Sequence, residues 1–390
     1  MFYNFILLEP RQSRMNEKNT LKELAKLFLK LGIIGFGGPA VHIAMMQNEV
    51  VVRKKWMSEQ HFLDLVGATN LIPGPNSTEM AIHIGQERAG WKGLIVAGMC
   101  FILPAVLITG CFAWLYQEYG QLPEIKPFLY GIQPAIIAII IMAIFPLAKK
   151  SLKTVELRIL GLVALILALL NFNQIYILFG VGIFALLTAT TRKNNVYGFA
   201  VLPLLLFQFS KTTVATVTNL NLFLVFLKIG AILYGSGYVL FAFLDAELVA
   251  KGLLSRATLI DAIAVGQFTP GPVFSSVTFI GYQLNGVLGA LVSTIGIFLP
   301  SFLFVALLNP LVKKMRNSIP FSTFLDAVNV ASVAVIIAIC FQMSYAVIAD
   351  WRTILIALIS FTVAFNYTKI NSAILVLGGS LMGYLLTFIG

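Results

Sequence analysis

Four uninterrupted apolar runs constrain this chain more than any other feature of its sequence. They are Gly93–Tyr116 and Pro127–Ala148 in the first half, and Gly286–Leu308 and Phe324–Tyr345 in the second half. Each run provides the roughly 20 apolar residues that a helix needs to cross a bilayer. Strands of membrane β-barrels are shorter and alternate in polarity, so continuous runs indicate helices. The sequence therefore predicts an all-α polytopic membrane protein.

The composition supports this class and excludes an ordinary soluble domain. Of the 390 residues, 59% are hydrophobic and 11% are charged, and the net charge is +11. Soluble domains carry about 25% charged residues, so this chain has too little polar surface to face water. Its Lys and Arg residues lie mainly between the apolar runs, as the positive-inside rule expects. The positive charge therefore predicts a lipid bilayer, and not nucleic acid, as the partner.

The two halves of the chain repeat each other in sequence. Phe28-Leu-Lys-Leu-Gly32 recurs as Phe226-Leu-Lys-Ile-Gly230, and Pro73-Gly-Pro75 recurs as Pro270-Gly-Pro272. We expect an N-terminal extension at residues 1–20, a first repeat at 21–191, a linker helix at 192–221 and a second repeat at 222–390.

Charge placement indicates that the two repeats are inverted relative to each other. The loop at 117–126 is mainly acidic, whereas the loop that follows the equivalent run, 311–319, is basic, as is the loop at 148–156. Because basic loops prefer the cytoplasm, we predict loop 117–126 outside and the other two inside. Inverted repeats are typical of secondary transporters, whose substrate site lies near the midplane where the repeats meet.

Glycines and prolines interrupt the remaining apolar segments. Leu24–Met46 and Phe62–Gly85 flank the basic residues Arg53–Lys55, which would lie on the wrong side if both segments crossed fully. Irregular backbone at membrane depth is tolerated where it is buried in protein or lines a cavity. We therefore predict broken or re-entrant helices in each half.

The helix breaks supply the candidate substrate site. A helix that begins at a break exposes backbone N–H groups at its positive dipole end, which is a favourable place for an anion. The alternative is that the prolines only kink the helices and the glycines only allow close packing. The candidate residues are Gly37, Gly38, Pro39, Pro73, Gly74, Pro75, Asn76 and Ser77 in the first half, and Gly235, Gly237, Gln267, Pro270, Gly271, Pro272 and Ser275 in the second.

Several ionisable residues lie within or beside the apolar segments. Lys30 and Lys228 occupy equivalent positions and are candidates for binding an anion, the alternative being that each side chain reaches to the interface. For Glu79 we favour a capping box with Asn76 over proton coupling. For Glu49 and Glu247 we favour solvated ion pairs over proton coupling. The histidines His42, His61 and His83 lack metal-ligand spacing, so we predict neither a metal site nor a cofactor.

Two sets of motifs occur in the two halves in a fixed order. They are Gly37-Gly-Pro39, Trp56, Pro73-Gly-Pro75, Gly90 and Gly93, followed by Phe226-Leu-Lys-Ile-Gly230, Gly235-Ser-Gly-Tyr-Val239, Gly266-Gln-Phe-Thr-Pro-Gly-Pro272, Thr278-Phe-Ile-Gly-Tyr282 and Pro300-Ser-Phe302. These motifs resemble the two half-signatures of the chromate ion transporter family over residues 20–390. The resemblance implies a two-domain, long-chain transporter of chromate, usually described as effluxing it at the cost of the proton motive force, with sulfate as the physiological look-alike.

The functional hypothesis is a secondary transporter of a small tetrahedral oxyanion in the cell (inner) membrane, coupled to the proton motive force. A passive anion channel is the main alternative. An intramembrane enzyme is a weaker one, because the sequence contains no paired nucleophile and base. The oligomeric state stays open, a homodimer being one option.

Overall fold

The computed structural model describes residues 9–192, 218–235, 237–316, 319–367 and 370–388. These residues form fourteen helices, and no strand occurs among them. The first-half helices are α1 Glu9–Ile34, α2 Gly38–Gln47, α3 Glu59–Thr69, α4 Asn76–Tyr119, α5 Lys126–Ser151, α6 Val155–Leu169 and α7 Gln174–Arg192. The second-half helices are α8 Asn219–Ile232, α9 Val239–Leu244, α10 Arg256–Phe268, α11 Ser276–Arg316, α12 Ile319–Val347, α13 Trp351–Asn366 and α14 Ser372–Leu386.

Four helical segments are long and apolar enough to cross a membrane. They are Asn76–Tyr119, Lys126–Ser151, Val273–Leu307 and Pro320–Val347, and they contain the four apolar runs found in the sequence, except for Leu308 at the end of the third run. Shorter apolar helices, among them α8, α13 and α14, accompany them. The prediction of an all-α, multi-pass membrane protein is confirmed. The predicted linker helix at 192–221 lies almost wholly outside the described residues.

Corresponding helices of the two halves share unusual local geometry. Helix α4 bends sharply at Ala89 (φ −147°, ψ 29°) and Gly90 (φ 57°, ψ −148°). Helix α11 bends at Asn285 (φ −145°, ψ 29°) and Gly286 (φ 60°, ψ −150°). Helices α2 and α9 each continue into a π-helical segment, Asn48–Arg53 and Asp245–Val249 respectively. The repeat seen in the sequence is therefore a repeat of backbone structure.

The equivalent helices α4 and α11 run antiparallel to each other. Near the start of the straight part of α4, Gly98 lies against Phe302 of α11. Further along α4, the Ala113 carbonyl accepts a hydrogen bond from Gln283 Nε2 at 2.8 Å. A later residue of α4 therefore contacts an earlier residue of α11. Equivalent helices that point in opposite directions establish that the halves are inverted repeats, as predicted.

The equivalent helices α5 and α12 confirm the same relation with polar contacts at both ends. Lys153, just after α5, forms an ion pair with Asp326 near the start of α12 at 3.1 Å. Asp350, just after α12, accepts a hydrogen bond from the Tyr130 hydroxyl near the start of α5 at 2.5 Å. The end of each helix thus lies beside the start of the other.

The two halves are interlocked rather than side by side. Helices α6 and α7 of the first half pack against α12 of the second, and α13 and α14 of the second pack against α5 of the first. Close approach is possible at Gly131, which lies against the backbone of Gly379 and Gly383. Helices α4 and α11 pack against each other, and hydrogen bonds join the breaks of one half to those of the other, so the breaks of both halves face one interface.

Candidate functional site

The helix breaks predicted from the sequence meet in two pairs across the interface between the halves. The backbone N–H of Gly74 donates a hydrogen bond of 2.8 Å to the Leu233 carbonyl, at the end of α8. The backbone N–H of Gly271 donates one of 2.8 Å to the Gly35 carbonyl, at the end of α1. The two hydrogen bonds join equivalent positions of the repeats. Each Pro-Gly-Pro break is therefore bound to the break at the end of α1 or α8 in the other half.

These hydrogen bonds change which donors the breaks can offer to an anion. The amides of Gly74 and Gly271 are occupied by carbonyls in this conformation. The donors that remain are the first-turn amides, which have no intrahelical acceptor. In the first half these belong to Asn76 and Ser77 of α4. In the second half they belong to Val273 and Phe274 of a 3-10 turn, Val273–Ser275, that leads directly into α11.

Only glycine fits the middle of each tripeptide. Gly74 has φ +135° and Gly271 has φ +87°, a region that disfavours residues with a side chain. A methyl group at Gly74 would collide with the Glu79 carboxyl group and the Ser301 hydroxyl group. At Gly271 it would lie 2.9 Å from the Ala105 side chain. Both tripeptides are buried between the halves.

The first tripeptide is accompanied by a buried carboxyl group. Glu79 has no exposed surface, and its Oε1 accepts a hydrogen bond of 3.3 Å from the Ser301 hydroxyl of α11. The predicted capping box is wrong, because Pro75 is the N-cap residue and makes no side-chain cap. The Asn76 side chain instead donates to Asn70 Oδ1 at 2.9 Å. Glu79 therefore faces the other half and does not cap its own helix.

The second tripeptide is accompanied by hydroxyl groups instead of an acid. The Thr109 hydroxyl of α4 donates to Ser275 Oγ at 3.2 Å. Ser276, which occupies the position equivalent to Glu79, is fully buried. Gln267 is also buried and contacts the Tyr238 hydroxyl. The two breaks thus have the same backbone arrangement but different side-chain chemistry.

The glycine breaks that follow α1 and α8 are less buried than the two Pro-Gly-Pro tripeptides. Gly37 is exposed, has φ +112° and precedes α2, with Gly38 and Pro39 in the first turn of that helix. In the second half, Gly235 is exposed and Gly237 half-buried.

One contact at the first break was not foreseen from the sequence. His42 is buried, and its Nε2 lies 2.8 Å from the Gly35 carbonyl, the same oxygen that accepts from Gly271. The position of His42 shortly after a glycine break is the only sequence signal for this contact. The second half has Leu240 at the equivalent place, so the histidine contact to the break carbonyl occurs in the first half only.

Each half carries one cluster of two cations and one glutamate. Glu49 binds Lys30 at 2.8 Å and Arg53 at 3.1 Å, while Glu247 binds Lys228 at 2.7 Å and Lys251 at 2.6 Å. The hydrogen bond from Lys30 is the main reason why the pKa of Glu49 lies below its ordinary value. Each lysine ammonium group is thus paired with a glutamate, and each cluster retains one net positive charge.

Comparison with known proteins places the chain in a family. The family model described as "Chromate transporter" matches twice, at residues 22–187 and 220–384. The chain belongs to the chromate transporter family. It is 29% identical over 371 residues to a protein of Cupriavidus metallidurans named chromate transport protein, covering 93% of this chain and 92% of the relative.

Other members of the chromate transporter family are similar over most of their length. A probable chromate transport protein of Synechococcus elongatus is 31% identical over 87% of this chain and 89% of its own. An uncharacterized transporter of Methanocaldococcus jannaschii is 29% identical over 96% of this chain and 97% of its own. No solved structure matches the chain significantly. The relatives are named as transporters, and the family match covers both halves.

Some of the residues that carry the family resemblance coincide with the irregular backbone of this chromate transporter family member. Gly37-Gly-Pro39 and Pro73-Gly-Pro75 are the two breaks of the first half, and Gly90 is the bend of α4. The sequence predicted the two breaks and their repetition, but not the bend at Gly90. It did not predict the partner of each glycine amide, because the cross-half pairing depends on how the inverted repeats pack together.

Proposed function

We propose that this protein is a secondary transporter that moves a small tetrahedral oxyanion, chromate with sulfate as a chemical look-alike, across the cell (inner) membrane. The observation that carries the proposal is the meeting of helix breaks from two inverted halves at one buried interface. Transporter substrate sites are characteristically built in this way, from discontinuous helices near the midplane. The names of the relatives from Cupriavidus metallidurans and Synechococcus elongatus support chromate as the substrate.

The electrostatics of the breaks suit a dianion. A dianion that enters a low-dielectric interior must have its hydration replaced, since an unpaired buried charge is very costly. The helices that begin at Asn76 and Ser276 each carry roughly half a positive charge at their first turn. Together they balance about one of the two negative charges. The clusters around Glu49 and Glu247 add a net positive charge in each half, which attracts an anion to the protein.

Burial of both tripeptides favours alternating access over a passive channel. A channel needs a continuous open path, whereas Pro73–Pro75 and Pro270–Pro272 are enclosed between the halves. An anion reaches these breaks only after the halves move relative to each other. Separation of the halves at the breaks requires the loss of two cross-half hydrogen bonds, Gly74 to Leu233 and Gly271 to Gly35. Coupling of this movement to the proton motive force belongs to the same proposal.

Flux of oxyanions into proteoliposomes tests the proposal. Purified full-length protein is reconstituted, a pH gradient is imposed, and uptake of chromate, sulfate and molybdate is followed. We expect saturable chromate flux that responds to the gradient and is inhibited by sulfate. Flux that does not saturate and ignores the gradient would support a channel instead. The absence of chromate and sulfate flux from protein that remains folded would overturn the proposal.

A further inference from the structure

Glu79 is the one buried glutamate of the described residues that has no cationic partner. Its Oε1 accepts from Ser301 at 3.3 Å, and its Oε2 is buried without a hydrogen-bond partner. Glu49 and Glu247, by contrast, each bind two cations. No salt bridge reaches Glu79 from the described side chains. An ionised carboxylate in such a place is expensive, whereas the neutral acid is tolerated.

Glu79 also lies at the junction where the two halves meet. Its carboxyl group occupies the space where a side chain at Gly74 would stand, and the Gly74 amide binds the Leu233 carbonyl. The titratable groups around it are few: the Tyr234 hydroxyl, from the opposing break, lies within electrostatic range, and His83 follows one turn later on α4. Ser301 of α11 is the neutral hydrogen-bond donor. A change of charge on Glu79 therefore acts directly on the contact between the halves.

The second half has no counterpart to this acid. Ser276 occupies the equivalent position, and Ala105 occupies the position equivalent to Ser301. In the described part of the chain, the carboxyl group of Glu79 therefore has no counterpart at the equivalent position, and it lies on the side of Pro73–Pro75. The other buried acid between the halves, Asp261 of α10, accepts hydrogen bonds from Tyr116 and Gln133 of the first half. An ionised Glu79 would repel a dianion held by the neighbouring first-turn amides, because like charges at close range raise each other's free energy.

We propose that Glu79 is the proton-binding residue of this transporter and that it takes up its proton together with the oxyanion. This inference rests on the proposed function, since it places the oxyanion at the tripeptides. A proton from the water on the entry side forms the O–H bond of the Glu79 acid as the dianion binds. When the dianion leaves on the other side, the proton returns to water there. No electron is transferred, and one proton accompanies each oxyanion.

The proposal makes proton binding and oxyanion binding mutually favourable. Chromate binding to full-length wild-type protein is measured over a series of pH values, beside Glu79→Gln and the matched control Glu118→Gln, an exposed glutamate later on α4. For wild type and the control, we expect the chromate dissociation constant to rise with pH by up to about tenfold per pH unit. Glu79→Gln should retain only the dependence caused by chromate's own protonation.

Two further measurements guard against a variant that fails to fold. Glu79→Ser introduces the residue found at the equivalent position of the second half, and it should behave like Glu79→Gln. In wild-type protein alone, sulfate is added in weakly buffered solution over a series of pH values. Proton uptake should reach about one proton per chain at the alkaline pH values where Glu79 of the oxyanion-free protein is ionised. Identical pH dependence in wild type and Glu79→Gln, or no proton uptake on sulfate binding at any of these pH values, would overturn the inference. If wild type binds no oxyanion at any pH, the proposed function fails instead.

Discussion

At the scale of single residues, the two central glycines carry the sharpest prediction. Gly74→Leu and Gly271→Leu should each abolish oxyanion transport, because both positions have positive φ and no room for a side chain. Gly110→Leu is the matched control, since nothing lies near that glycine on α4. Transport is measured at equal amounts of protein in the membrane. Normal transport by either tripeptide variant would show that its break does not form the site.

The lysines of the two charged clusters make a milder prediction. Lys30→Gln and Lys228→Gln each remove the net positive charge of a cluster while leaving the glutamate one cationic partner. We expect a higher apparent KM for chromate and a similar maximal rate, whereas Lys→Arg should retain part of the affinity. Flux assays at low and high ionic strength are the measurement, because salt screens a long-range attraction. If both Gln variants transport normally, these lysines serve structure alone.

At the scale of elements, the start of α13 offers a test of stability. Asp350 caps this helix through the Thr353 amide at 2.9 Å and accepts from the Tyr130 hydroxyl of α5. Loss of a cap costs about 1 kcal/mol, so Asp350→Ala should lower the unfolding temperature. Asp350→Asn keeps a side chain that can cap and removes the charge.

The same residue predicts how stability depends on pH. The hydrogen bond from Tyr130 is the main reason why the pKa of Asp350 lies below its ordinary value. A carboxyl group with a lowered pKa stabilises the fold at pH values above its pKa in the unfolded chain. That contribution is lost as pH falls through the pKa of the folded state. The difference in unfolding temperature between wild type and Asp350→Asn should therefore shrink in acid, and a constant difference would contradict this account.

Some of these elements could be predicted from the sequence and others could not. The breaks at Gly35–Pro39 and Pro73–Pro75 were predictable, because glycine and proline disrupt helices through their own backbone properties. The role of Glu79 was not, because its spacing from Asn76 also fits a capping box, and only packing against Ser301 separates the alternatives. The packing of α6 and α7 of the first half against α12 of the second was not predictable either, because it depends on contacts between distant segments.

At the scale of the whole molecule, the inverted repeat predicts which loops share a side of the membrane. In a protein lacking Cys100, Cys111 and Cys340, single cysteines are placed at Gln121, Lys150 and Asn317. An impermeant thiol reagent should label Gln121→Cys from outside and the other two only from inside, following the charge of the loops. Labelling of Gln121→Cys and Asn317→Cys from the same side would contradict the antiparallel arrangement of α4 and α11.

The central claim is that the breaks of both halves together form the oxyanion site, and a structure with molybdate bound tests it most directly. A heavy tetrahedral oxyanion gives strong density, and the account predicts it between the two tripeptides. There it should lie within hydrogen-bond distance of the first-turn amides after Pro75 and Pro272. Density confined to the basic segment Arg53–Lys55, far from both breaks, would contradict the account and leave the tripeptides as helix kinks.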